Sequence, residues 1–325
     1  MAIIRIQFFR RCWCFHQQLL CLQQSHAKRT LLTIFFFFSI FFFHTKTHAG
    51  ISPTDMQTLR TYEDSLSVLA DSIVNGDEQG MRTQSCYDFI RMLVQALKVK
   101  NSFEYPFDSL KHINIMYADD KSFRIFNWNL LKTTGVYRYY GAIQKKSSSV
   151  KLYPLYDYSD YFTSPLDTVT SSERWFGCLY YQIVRSGKSY LLFGWDGNTL
   201  LSNKKIIDVL SFDKKGAPVF GAPVFNIGTD SLPHYVSRFM IEYKEIAQVS
   251  MRYDNDLRMI IYDHLIPIDP KAEGMYDMYV PDGSYEAFEL RKKKWNHVSS
   301  VFNSTQDEPP VPNPIDFDKK NKQPH

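Results

Sequence analysis

The chain has 325 residues, with 38 Lys and Arg against 34 Asp and Glu, a formal charge of +4. At 44% hydrophobic and 16% aromatic it holds ample apolar material for a core, which excludes a disordered or collagen-like chain. The positive excess belongs to residues 1–49, which carry six Lys/Arg and no Asp/Glu; the remainder has 32 − 34 = −2, so the charge gives no footing for a nucleic-acid face.

Residues 1–49 have the composition of a secretory leader. Lys28-Arg29 precedes the apolar run "LLTIFFFFSIFFF", residues 31–43, and Thr47 and Ala49 supply the small residues of a cleavage site before Gly50. As a helix the run spans roughly 20 Å, short of the roughly 30 Å hydrocarbon core. A removed signal peptide is expected, with an N-terminal signal anchor through residues 31–43 as the alternative. In both cases the charge asymmetry sends everything after residue 50 across the membrane. Cys12, Cys14 and Cys21 belong to the leader. Cys86 and Cys178 remain, and are expected as two separate buried thiols, with a disulfide as the alternative.

Residues 50–109 read as a helical segment. Ser52-Pro53-Thr54-Asp55 combines an N-cap, a first-turn proline and a capping-box acid. Met56, Leu59, Tyr62, Leu66, Leu69 and Ile73 then recur every three or four residues, and Asn75-Gly76 ends the stripe. Cys86, Phe89, Ile90, Leu93 and Leu97 form a second stripe, so an antiparallel helix pair is expected.

Residues 110–303 read as an antiparallel β domain. Twelve short runs rich in aromatic and branched residues, from "INIMYA" to "WNHVSSV", alternate with turn signals such as Asp119-Asp120, Ser186-Gly187 and Lys215-Gly216. Connections this short join antiparallel neighbours. The class is therefore α+β: an N-terminal helix pair, then a mainly antiparallel domain built as a sandwich, a barrel or a propeller-like array. "GAPVFGAPVF", residues 216–225, is an immediate repeat whose prolines suggest an edge or bent strand. Residues 304–325, polar and proline-rich, read as a disordered tail.

Chemistry-bearing motifs are sparse. Trp195-Asp196 occurs once, without the upstream Gly-His of a WD repeat. Asp196-Gly197 and Asp282-Gly283 read as turns between or before strands. "RSGKSY" lacks the first glycine of a phosphate loop and joins two strands. No His-Glu-x-x-His, no Cys-x-x-Cys after the leader and no Gly-x-Ser-x-Gly occurs, and "YDNDLRM" lacks the ligands of a calcium loop, so neither metal nor cofactor is expected. "RKKKW", residues 291–295, reads as a solvated hairpin turn. Asp263-His264 in "RMIIYDHLIP" is the most tempting pair. Strand parity places the two side chains on opposite faces, which denies them a mutual dyad and gives Asp263 a backbone-capping role near the Pro267–Pro270 turn.

"FGWDGN", "SNKKIIDVLSF", "GAPVFGAPVF", "RYDNDLRMIIYDHLIP" and "PDGSYEAFELRKKKW" together resemble a family of uncharacterised exported proteins of Bacteroidota over roughly residues 110–300. The resemblance implies export from a two-membrane bacterium and brings no activity or catalytic residue with it. A periplasmic or extracellular protein is expected, with an envelope protein or glycan as partner and membrane contact only through an uncleaved leader. The aromatic-rich strands favour a non-catalytic binding or structural module, with Trp195, Asp196, Asp263 and His264 as ligand-binding candidates. The alternative is a secreted hydrolase of an envelope polymer, its acid and base paired across strands from Asp196, Asp263, His264 and Asp282.

Overall fold

A computed structural model of the protein describes residues 50–301, apart from Ser148 and Ser300. The leader and the tail expected at 304–325 lie outside the described residues. What is described is a helix pair followed by mostly antiparallel sheets.

Helix α1 (Pro53–Asn75) starts where its cap chemistry places it: the Ser52 hydroxyl accepts the Asp55 N–H at 3.0 Å, and Pro53 occupies the first turn, where its missing N–H costs nothing. Leu59, Leu66 and Ile73 of its stripe are buried. Helix α2 (Gln79–Lys98) buries Cys86, Phe89, Leu93 and Leu97. The two stripes share one core with a four-stranded meander, β1 (Asn114–Tyr117), β2 (Phe123–Leu131), β3 (Tyr137–Lys145) and β4 (Leu152–Tyr156), in the order β1-β2-β3-β4.

The period-two geometry of a strand explains how further layers are added. On β2, Phe126, Trp128 and Leu130 face the helices, while Phe123 and Ile125 face a second sheet. That central sheet contains β5 (Thr170–Ser171), β6 (Leu179–Ser186), β7 (Ser189–Asp196), β8 (Ser202–Phe212) and β9 (Pro218–Phe220) in the order β5-β9-β8-β7-β6. On β7, Tyr190 and Leu192 face the meander, whereas Leu191 and Phe193 face a third sheet; Ile206/Ile207 repeat the split on β8. A sheet covered on both faces needs apolar residues at successive positions, which is why "YLLF" and "II" run on without alternation. Each large side chain so buried contributes roughly 1.5–3 kcal/mol.

The outer sheet comprises β10 (Phe225–Asn226), β11 (Tyr235–Val236), β13 (Met251–Asp254), β14 (Met259–Pro267), β15 (Tyr279–Arg291) and β16 (Lys294–Val298), ordered β11-β10-β16-β15-β14-β13. All its pairings are antiparallel except β10 with β16. Among the described residues the architecture is thus four layers, helices and three sheets, in the manner of a stacked sandwich.

One more strand, β12 (Phe239–Lys244), pairs with the first half of β8, while β9 pairs with the last residues on that strand. The repeat "GAPVFGAPVF" is the hinge between layers. Its first copy forms β9, flanked by β5 and β8 and therefore not an edge; its second copy leads into β10 of the outer sheet. Phe220 and Phe225, equivalent in the repeat, are both fully buried but in different cores. Pro218 opens β9, a position where a strand tolerates proline. Cys86 and Cys178 are free and buried, and the Trp128 indole donates to the Cys86 sulfur at 3.4 Å.

Candidate functional site

A cavity of about 550 Å³ opens where β12 of the central sheet meets β14 and β15 of the outer sheet. Its position is set by buried ionic anchoring. Arg238, just before β12, donates to Asp208 of β8 at 2.9 Å and to the Pro165 carbonyl at 2.6 Å, and Pro165 and Leu166 form part of the cavity wall. The loop between β14 and β15 folds back through short 3-10 turns at Pro270–Ala272 and Tyr276–Met278, and Ile268 N–H bonds the Met278 carbonyl at 3.0 Å. That loop brings Tyr276 to the cavity beside Tyr279, ring centroids 5.2 Å apart.

A β-bulge shapes the opposite wall. Pairing between β14 and β15 shifts from Asp263↔Tyr285 to Leu265↔Pro281, so that His264 alone faces Asp282, Gly283 and Ser284. Gly283 has φ +90°, the conformation a bulge glycine supplies. The turn expected at Asp282-Gly283 is therefore corrected to a bulge inside β15; the backbone demand is the same, so the same residue pair serves both. The bulge turns Asp282 toward His264, whose Nδ1 lies 2.9 Å from Oδ2. The Ser284 backbone and hydroxyl, followed by His264, hold the Asp282 carboxyl down at about 2.

Glu286 continues the array. Its Oε2 lies 3.0 Å from His297 Nε2 of β16, and its Oε1 lies 3.8 Å from His264 Nε2. Burial pushes the Glu286 carboxyl up, but hydrogen bonds from His297 and Tyr262 and the nearby histidines outweigh it, and the net shift is downward. Burial and Glu286 raise the Tyr262 phenol. On the β12 side, Glu242 accepts from Ser202 Oγ at 2.6 Å and Asn198 Nδ2 at 2.9 Å and lies 3.6 Å from Lys204.

Of the four residues singled out from sequence, Asp263 and His264 line this cavity and Trp195 and Asp196 are not among its lining residues. Asp263 and His264 have separate partners. Asp263 accepts the Ser250 N–H at 2.8 Å, so the backbone it caps is the approach to β13, not the Pro267–Pro270 turn. Trp195 packs edge-on against Tyr137 at 5.5 Å. Asp196 ends β7 opposite Lys204, and the connection to β8 is the longer loop 197–201 in place of a two-residue turn. Burial raises the Asp196 carboxyl to about 6, opposed by Lys204 and the Tyr139 hydroxyl. Tyr139 in turn accepts the Gly197 N–H at 2.7 Å.

Glu242, Tyr276, Tyr279, Glu286 and His297 were not singled out from sequence. Glu286 carried one signal: it shares strand parity with Phe288, which is fully buried, and a carboxylate on a core-facing parity needs partners. The tyrosines lie at a loop and a strand start, where periodicity carries no information.

Chemically the array lacks an activated nucleophile. His264 has an orienting carboxylate at Nδ1, but its Nε2 faces Glu286 where a hydrolytic triad would place a hydroxyl or thiol. Burial raises the Cys86 thiol to about 11 and raises Cys178 as well, the opposite of an activated cysteine. Among the described residues no group of three or more His, Cys, Asp or Glu side chains forms a metal-ion site. No helix among them is long and apolar enough to cross a membrane. No protein-family model, curated protein or solved structure matches the chain.

Proposed function

We propose that the protein is an exported envelope protein whose cavity between β12, β14 and β15 holds a partner protein or a glycan without transforming it. The observation that carries this reading is the state of Glu286 in the cavity wall and of Asp282 outside it. Glu286 is held ionised by its partners, as is Asp282 behind His264, and a general acid needs the opposite shift. A walled cavity with tyrosine faces and fixed polar groups has the ordinary make-up of a binding site. Its size also falls in the usual range for one.

The rival reading is a hydrolase of an envelope polymer. One observation favours it: Asp196, at about 6, is a carboxyl tuned toward acid–base work at neutral pH. Against it, Asp196 is buried and does not line the cavity. The deciding experiment measures binding and turnover on one panel of envelope glycans and proteins, with Tyr276→Ala and Asp196→Asn alongside the native chain. Saturable binding lost in Tyr276→Ala without turnover supports the binding reading. Turnover abolished by Asp196→Asn at unchanged melting temperature overturns it.

A further inference from the structure

β12 pairs along one edge with Ser202–Ile207 of β8; among the described residues no strand pairs with its other edge. Side chains from both faces of β12 line the 550 Å³ cavity, Met240 and Glu242 from one face and Ile241 from the other. Because side chains alternate along a strand, a cavity touched by both sets runs along the strand's edge. An unpaired edge presents a row of backbone N–H and C=O groups in the plane of the sheet. Tyr276 and Tyr279 also line this cavity. The acidic side chains lining it are Glu242, Asp263 and Glu286, against one lysine, Lys204, already engaged with Glu242. The charge left for a ligand is negative.

We infer that the free edge of β12 receives an extended peptide segment of a partner protein, added as a further strand, with a Lys or Arg side chain directed at Glu286 in the cavity that Tyr276 and Tyr279 also line. This rests on the binding function proposed above and names its ligand. Strand addition gives affinity through main-chain hydrogen bonds and selectivity through alternate side chains. A cation next to tyrosine faces and an ionised carboxylate gains from both. A sugar would use the tyrosines and the acids and could bond single groups of a strand edge, but would not pair with their repeat.

The test selects a displayed octapeptide library against the full chain. The expected winners alternate apolar and polar residues and carry Lys or Arg at one fixed position. In a synthetic winner, methylating alternate backbone nitrogens, or replacing the cation by Glu, should each weaken binding at least tenfold. Glu286→Gln should weaken the cationic peptide several-fold and leave its norleucine-substituted form unchanged. Tyr276→Ala, at an exposed loop position, repeats the test in a variant whose fold is not at risk. No enrichment, or binding indifferent to backbone methylation, overturns the inference. Binding of a neutral oligosaccharide in its place, lost in Tyr276→Ala, overturns the peptide and leaves the binding function standing; turnover of an envelope polymer removes both.

Discussion

Arg238 and Asp208 form an ion pair of 2.9 Å in which both side chains are essentially fully buried, 0% and 1% exposed. The pair ties the start of β12 to the middle of β8 while Arg238 also holds the Pro165 carbonyl. A buried pair contributes little compared with apolar packing, but a half pair is costly. Arg238→Met alone should lower unfolding free energy by about 3–5 kcal/mol, and Arg238→Met with Asp208→Leu by much less than that single change. Urea titration of the native chain, Arg238→Met, Asp208→Leu and the double variant checks it; single-variant losses that add up to the loss in the double variant would show that the charges are not coupled.

Acid sensitivity should concentrate in the bulge. A carboxyl depressed in the folded state contributes stability above its unfolded value, near 4, and loses it as pH falls toward the folded value. Asp282, at about 2, therefore stabilises the fold at neutral pH and gives that up between about pH 4 and pH 2. Glu286 is shifted in the same direction. Melting temperature measured across this window should fall less steeply for Asp282→Asn than for the native chain. Parallel slopes would refute the assignment.

Asp196 has the opposite sign. Its raised carboxyl favours the fold when protonated, so this contribution is present below about pH 4 and is lost as pH rises through about 6. At pH 8 the charged form is buried at a cost. Asp196→Asn should stabilise the protein there by up to about 3 kcal/mol and change little at pH 4. Chemical denaturation at the two pH values distinguishes this from a uniform effect.

Gly221 and Gly283 have nearly the same backbone, φ +91° and +90°, in different surroundings. A Cβ on Gly221 would sit 2.7 Å from the Thr168 carbonyl oxygen, a backbone atom; on Gly283 it would meet nothing within 4 Å. Gly283→Ala should cost about 1 kcal/mol of conformational strain, and Gly221→Ala clearly more, because strain and collision add. Thermal unfolding of the two variants provides the comparison.

The helix pair was legible because more than twenty residues repeat at 3.6, long enough for a stripe to emerge in α1. Most strands were legible as aromatic and branched runs, but β5, β10 and β11 are two residues each and show no period. The stacking of three sheets was not legible, since an unbroken apolar run says that both faces are covered and not by what. Arg124 illustrates the same gap. Its strand position is plain, yet two of the four groups that meet its buried charge, the carbonyls of Tyr105 at 2.6 Å and Ser102 at 2.7 Å, come from the helix-to-sheet linker, beside Gln144 and Tyr117 of the meander. Within the candidate site, Asp263-His264 stood out by composition. Asp282, Glu286 and His297 join it only through register across three strands, which one sequence does not specify.

The parallel pairing of β10 with β16 joins Asn226 to Asn296, 70 residues apart, and the Trp295 N–H bonds the Val224 carbonyl at 2.8 Å. A contact so distant along the chain comes late in assembly, because the intervening loop has to be closed first. Nascent chains that end before Lys294 lack Trp295 and the strand that separates β10 from β15, leaving Phe225 and Phe288 without the neighbour that completes their core. Strand β16 thus acts as the clasp of the outer sheet, and the chain has to be synthesised through Val298 before that clasp can shut.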